Sequence, residues 1–187
     1  MKTATIEKAK KQSKPVIESI TIKHMVDDNP DTSYLGEYTD KYVSGTLGCI
    51  ERQNPGRNEY KYFVPMNSYS QHRKDLQKMG YSRGNCDFLA RSYVYQDFRR
   101  FERLNRGDWF FMGIMVEATI KLDITGQGNY RLETFTSGGL WGIESDSGND
   151  YIKEIESDEL NDLKNHLKQF NVNVKNFDKI EITRKEF

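Results

Sequence analysis

The chain has 187 residues, of which 12% are aromatic and 30% charged, and its 28 basic side chains balance 28 acidic ones. This length can bury a sizeable core, and the many aromatic residues with only four prolines exclude a disordered chain. Residues 52–106 hold twelve basic and five acidic residues, whereas residues 107–187 hold nine basic and fifteen acidic ones. Such a basic middle and acidic end can steer charged partners.

Residues 1–14 are polar and rich in lysine, without the apolar segment of a secretory signal. They predict a flexible basic N-terminus, followed by a single domain over residues 15–187. The chain has two cysteines, Cys49 and Cys86, and no apolar run of membrane-spanning length. We expect a cytoplasmic protein that does not bind membranes and keeps both thiols reduced.

The first half of the chain shows strand patterns separated by turns, with one short polar helix. The first strand is predicted from alternation around Ile20 and Ile22, and the helix ends at Gly80. In chain order the predictions are a strand over 16–26, a turn over 27–31, a strand over 41–47, a turn over 54–56, a strand over 60–64 and a helix over 70–79.

The strongest periodicity lies in residues 86–106, where apolar side chains recur on one face of a helix. Asn85 is the predicted N-cap, and Gly107 is predicted to end the helix. The opposite face is either a solvated surface with local pairs, such as Arg99 with Glu102, or a docking face for phosphates or an acidic protein. The apolar stripe comprises Ala90, Val94, Phe98 and Phe101, and the opposite face carries Arg99, Arg100, Arg103 and Arg106.

The most apolar stretch, residues 109–122, predicts a central strand, in which Gly113 indicates a bulge or a close backbone approach. A glycine-rich turn then leads into a strand over residues 130–135. The glycines at 138–142 favour a bent backbone under Trp141 over a phosphate cradle, because no helix with a Lys and a Ser or Thr follows.

The C-terminal part predicts a helix after Ser157, which would cap it, and a last strand over residues 177–183. Strands mixed with separated helices favour an α+β fold. We predict a mainly antiparallel sheet of about five strands, packed with two or three helices. The apolar positions of the last helix are Leu160, Leu163, Leu167 and Phe170.

Eight carboxylates crowd residues 144–162 against one base, Lys153. They form either a solvated helix face or an acidic surface that meets the basic groove of a nucleic-acid-binding protein. A third interpretation is a metal-assisted enzyme that uses Glu144, Asp146 and Asp150, but the ligand order does not match a calcium loop, so we predict no metal site. The predicted partner-binding carboxylates are Glu144, Asp146, Asp150, Glu154, Glu156, Asp158, Glu159 and Asp162.

No complete catalytic or cofactor motif is present in the sequence. It contains neither a nucleotide-binding glycine loop nor a G-x-S-x-G nucleophile frame, and its three histidines are scattered. We therefore predict a protein that is not an enzyme, with no catalytic residues and no cofactor.

Four segments carry a resemblance that covers most of the chain after Val16. They read PDTSYLGEY at 30–38, QDFRRFE at 96–102, NRGDW at 105–109 and SGGLWGIESDS at 137–147. In these segments the chain resembles small proteins of phages and mobile elements. The resemblance implies a protein of the host cytoplasm, in the company of phage proteins that inhibit host defence, such as anti-CRISPR proteins.

We therefore expect a non-enzymatic inhibitor that binds a host defence nuclease of the Cas9 type, or the complex of that nuclease with guide RNA, through the acidic residues at 144–162. The alternative is a nucleic-acid-binding protein that contacts DNA with the four arginines of the long helix.

Overall fold

The computed structural model describes residues 14–44, 48–53, 55–57, 59–124 and 128–187. Over these residues it contains three α-helices and eight strands, which confirms the α+β class. The chain divides into two compact units, which we call the sheet unit (Met1–Asp28 with Phe111–Phe187) and the helical unit (Asn29–Phe110). In chain order the elements are β1 (Val16–Val26), β2 (Gly36–Thr39), β3 (Ile50–Glu51), β4 (Tyr62–Pro65), α1 (Tyr69–Lys78), α2 (Arg83–Asn105), β5 (Phe111–Asp123), β6 (Tyr130–Thr136), β7 (Leu140–Glu144), α3 (Asn149–Gln169), a 3-10 turn (Phe177–Lys179) and β8 (Ile182–Lys185).

The sheet unit is built on a five-stranded mixed sheet in the order β6-β5-β1-β8, with β7 also paired to β5. β1 and β5 are antiparallel neighbours, whereas β8 lies parallel to β1. Helix α3 packs against β5. Along much of the two long strands, buried and mostly β-branched apolar residues alternate with less buried ones, which suits a pleated sheet. Their fully buried side chains are Ile20, Ile22, Ile114, Val116, Ala118 and Ile120.

β5 has a bulge at Gly113, where its register with β7 shifts. A Cβ atom at Gly113 would lie 2.4 Å from Cε3 of Trp141, so the indole lies directly on this glycine. The predicted bulge or close approach is confirmed. The predicted bend under Trp141 is also present, since Gly139 and Gly142 have φ angles of 76° and 75°.

In the helical unit, β4 lies between β2 and β3 in a three-stranded antiparallel sheet, and α1 packs against α2. Phe63 of β4 is fully buried and packs with Val94 of α2. The predicted apolar stripe of the long helix therefore lies in the core of this unit. The rings that pack around Phe63 belong to Tyr38, Phe98 and Phe101.

Glu102 joins the strands of the helical unit to α2. Its Oε1 accepts hydrogen bonds from Oη of Tyr38 at 2.6 Å and from Nε of Arg52 at 2.7 Å. Burial, and then the neighbouring Glu102 carboxylate, raise the pKa of Tyr38 well above its ordinary range, so the phenol stays a donor. The carboxylate thus binds Arg52 instead of its predicted neighbour Arg99.

The predicted start of the long helix is wrong, whereas its end is confirmed. Its N-cap is Ser82, whose hydroxyl accepts a hydrogen bond from the backbone N–H of Asn85, so Asn85 already lies inside the helix. At the other end Gly107 has a φ of 74°, and its N–H donates to the carbonyl of Leu104.

Two predicted strands are displaced. Residues 41–44 form no strand, and the strand lies earlier, at β2, while residues 45–47 fall outside the described residues. The predicted strand over 177–183 begins as a 3-10 turn, because the N–H of Ile180 donates back to the carbonyl of Phe177. The predicted flexible N-terminus falls almost entirely on residues 1–13, which the structure does not describe.

Candidate functional site

Helix α3 carries six of the eight predicted partner-binding carboxylates. It begins at Asn149, so the helix predicted to start after Ser157 is about two turns longer than expected, and Ser157 is an exposed residue within it. Two of its buried positions hold Glu156 and Glu159. These glutamates interrupt the apolar pattern along the sequence, and for that reason the first turns of the helix were missed. Its other buried residues are Ile155, Leu163 and Leu167.

Glu156 is 5% exposed and joins α3 to two strands. Its Oε1 lies 3.0 Å from Nε2 of His24 in β1, and its Oε2 accepts a hydrogen bond of 2.9 Å from Nη2 of Arg184 in β8. Burial opposes ionisation, but Arg184 and then His24 hold the pKa of Glu156 below its ordinary value. Since His24 lies 132 positions away, no local pattern could have indicated this contact.

Glu159 is 8% exposed and binds the bend before β7. Its Oε2 accepts a hydrogen bond of 2.9 Å from the backbone N–H of Gly139. Glu156 and Glu159 are therefore structural residues, and the partner-binding face predicted from the sequence loses both of them.

The other four carboxylates of α3 form a line along its exposed side. They are spaced four residues apart, so each lies about 6 Å beyond the last, and the line is about 18 Å long. Within the described part of the chain none of them has a hydrogen-bond or ion-pair partner. The exposed residues Ser157 and Asn161, which lie between them, are uncharged, whereas the exposed Lys153 lies next to Glu154 and three residues after Asp150. The four are Asp150, Glu154, Asp158 and Asp162, and we call them the acidic line.

Glu144 and Asp146 lie away from this line, at the end of β7 and in the turn that precedes α3. The turn is closed by a hydrogen bond from the N–H of Ser147 to the carbonyl of Glu144, and both acidic residues make further interactions. In the described ranges no group of three or more His, Cys, Asp or Glu side chains is arranged to hold a metal ion, and this includes Glu144, Asp146 and Asp150.

A pocket of about 610 Å³ opens beside the buried carboxylate of Glu156. Its lining mixes polar side chains, such as Ser145, Ser147 and Lys153, with apolar ones, such as Met112 and Ile152. Both oxygens of Glu156 are, however, engaged by Arg184 and His24. A carboxylate bound in this way, with a lowered pKa, is a poor general base at neutral pH.

The four arginines predicted as a nucleic-acid-binding face are not equivalent. The guanidinium of Arg100 stacks on Trp109, 3.6 Å from the ring centroid. Asp108 pairs with both Arg103 and Arg106. Its Oδ2 lies 2.8 Å from Nη2 of Arg106 and 3.7 Å from Nε of Arg103. This carboxylate also raises the pKa of Arg106. Of the four, Arg99 alone is exposed without such a partner in the part of the chain that the structure describes.

Comparison with family models, with characterised proteins and with solved structures gave no significant match to this chain. Among the helices of the described residues, none has the length and apolar character needed to cross a bilayer.

Proposed function

We propose that the protein is a non-enzymatic binding protein of phage or mobile-element origin, which inhibits a host defence nuclease. The acidic line of α3 would dock in a basic groove of that nuclease or of its complex with guide RNA. One observation carries this proposal: the four carboxylates at successive turns of a firmly packed helix have no partner within the described residues.

This arrangement costs stability within the protein itself. Like charges four residues apart on a helix destabilise it by about 0.2–0.5 kcal/mol per pair, and the acidic line contains three such pairs. A partner that supplies positive charge would relieve this repulsion. The same charges would steer the encounter, since complementary surfaces raise association rates at low salt.

A nucleic-acid enzyme fits this surface by its chemistry. Its groove presents Lys and Arg side chains to a continuous line of phosphates, and the acidic line, which winds about 120° around α3, offers the same sign of charge. Occupation of that groove would exclude the substrate without any catalytic residue on the inhibitor. The resemblance of residues 30–38, 96–102, 105–109 and 137–147 to phage and mobile-element proteins supports a defence nuclease as the target.

The test is a binding and cleavage assay with a guide-loaded nuclease of the Cas9 type. We expect the protein to co-migrate with the nuclease on a sizing column at low salt and to reduce DNA cleavage. A variant with Asp150, Glu154, Asp158 and Asp162 all changed to Lys should lose both effects. Glu156 and Glu159 are left intact, because their loss would disturb folding.

The matched control changes four exposed carboxylates outside α3 to Lys, which alters the net charge by the same amount. The control should bind and inhibit like the wild type. Inhibition that survives reversal of the acidic line, or that both variants lose equally, would contradict docking through α3. Failure of the wild type to bind the loaded nuclease would contradict the proposed target. The control positions are Asp28, Glu37, Asp40 and Glu51.

A further inference from the structure

The exposed side of α2 combines aromatic and cationic side chains. In order along the helix they are Phe88, Arg91, Tyr95 and Arg99. At about 100° per residue, these positions fall within about 80° of one another, on the side that flanks the buried stripe, with Arg91 about 20° and Arg99 about 100° from Phe98. We call these four residues the aromatic–arginine face.

This face is uncovered. Phe88 is 73% exposed and Tyr95 is 52% exposed, although large rings contribute most to stability when they are buried. Neither ring stacks on another ring in the described residues, and Arg91 and Arg99 are exposed there without a carboxylate partner. The arginines that do have partners, such as Arg100 on Trp109, lie outside this face.

A recess lies next to the middle of the face. It has a volume of about 460 Å³, and both Arg91 and Tyr95 contribute to its lining. Ile50, Val94 and the ring of Tyr69 give it largely apolar walls, and Glu51 is the one carboxylate among its lining residues. An apolar recess of this size beside an exposed ring suits a flat aromatic ligand.

We propose that the aromatic–arginine face binds single-stranded nucleic acid, with unpaired bases stacked on Phe88 and Tyr95 and phosphates bound by Arg91 and Arg99. Alternating rings and cations match the two parts of each nucleotide, because every base has a π-face and every phosphate is an anion. A duplex hides its base faces, so the two rings would be of no use to it. An acidic protein would need the arginines but not two exposed rings on the same side.

The experiment measures the anisotropy of a labelled oligothymidylate titrated with the full chain at several salt concentrations. Phe88→Ala and Tyr95→Ala each remove one ring. Each variant should bind the strand about tenfold more weakly than the wild type. Tyr95→Phe keeps the ring and should bind like the wild type. The double variant Arg91→Ala with Arg99→Ala should make the slope of log affinity against log salt shallower by about 1.4, since each phosphate contact on a single strand contributes about 0.7.

Matched controls remove exposed residues elsewhere in the chain. Tyr130→Ala with Tyr151→Ala removes two exposed rings, and Arg57→Ala with Lys74→Ala removes two exposed charges. Both should leave the affinity unchanged. The variant with a reversed acidic line should bind the strand at least as well as the wild type, which separates this proposal from the inhibitor function.

Four results would overturn the proposal. One is absence of strand binding by the wild type at low salt, and another is tighter binding to duplex than to single strand. A third is loss of binding with the arginines but not with the rings, which would indicate simple contacts to an anion. The fourth is self-association of the wild type that Arg91→Ala with Arg99→Ala abolishes, since a second copy of the chain would then cover the face.

Discussion

Glu154 and Glu156 lie two positions apart on α3, and their environments are opposite. The side chain of Glu156 is 7% exposed and bound by Arg184 and His24, whereas Glu154 is exposed and belongs to the acidic line. The same residue type therefore holds the helix to the sheet at one position and is exposed to solvent at the other. Position relative to the buried stripe of the helix decides which role a carboxylate has.

The role of Glu156 predicts a specific dependence of stability on pH. Because its pKa is lowered in the folded state, its contribution is complete above its ordinary value of 4.5 and is lost as the pH falls through the lowered value. We expect Glu156→Gln to lower the free energy of unfolding by about 1–3 kcal/mol at neutral pH. The variant should also lose less stability than the wild type below pH 4.5, as measured by urea unfolding at a series of pH values.

Glu154→Gln is the control for this measurement, since it removes the same charge from the exposed side of the helix. It should leave the acid-dependent loss of stability as in the wild type. A Glu156→Gln variant as stable as the wild type at neutral pH would show that the contacts with Arg184 and His24 contribute nothing.

At the scale of elements, α3 combines strong packing with internal repulsion. We expect Glu154→Gln with Asp158→Asn to raise the stability by about 0.6–1.5 kcal/mol at low salt, because each of the three like-charge pairs in the acidic line contains at least one of these two residues. High salt should abolish the gain, since the charges are exposed and screened. Thermal unfolding at two salt concentrations measures this gain in stability. A variant less stable than the wild type would mean that these carboxylates have partners within the protein.

The elements also show which parts of the fold could be predicted from the sequence. Regular alternation placed β1 at the residues where it is found, and the helical period placed the apolar stripe of α2. β7 was missed because it is short, half-exposed and interrupted by Gly142, and it exists through its pairing with β5. The early turns of α3 were missed because its buried glutamates depend on partners distant in sequence.

The candidate site could be predicted only in part, because contacts between residues distant in sequence decide which of its charged side chains are exposed. The sequence located the crowding of acidic residues around α3 but could not separate the exposed carboxylates from the two that tertiary contacts bury. It likewise located the arginines of α2 without showing that Asp108 and Trp109 engage three of them. The exposed rings of Phe88 and Tyr95 were not singled out, although their helical spacing relative to Arg91 and Arg99 can be read from the chain.

At the scale of the whole molecule, the helical unit is a chain segment inserted between two strands that pair with each other. β1 ends and β5 begins side by side, since the N–H of Asp27 donates to the carbonyl of Phe111 at 2.9 Å. We predict that replacement of Asn29–Phe110 by a short glycine-rich turn leaves a folded sheet unit. Dispersed amide resonances and a cooperative thermal transition would support this, and an unfolded product would contradict it.

The single domain predicted over residues 15–187 is tested by the unfolding of the intact chain. One domain requires a single transition in which the signals of both units change together. Two separate transitions, one of them matching the excised sheet unit, would show that the units unfold independently.

The insertion also sets the order in which the protein can form during synthesis. β1 is made first, but its nearest antiparallel partner, β5, is made only after the whole of Asn29–Phe110. Until then Ile20 and Ile22 have no neighbouring strand, and the edge of β1 is open to pairing with other chains. Early folding of the inserted segment would bring the ends of β1 and β5 together and reduce the entropy cost of their pairing. A nascent chain that stalls before residue 111 would therefore carry an apolar strand without a partner, the species most in need of a chaperone.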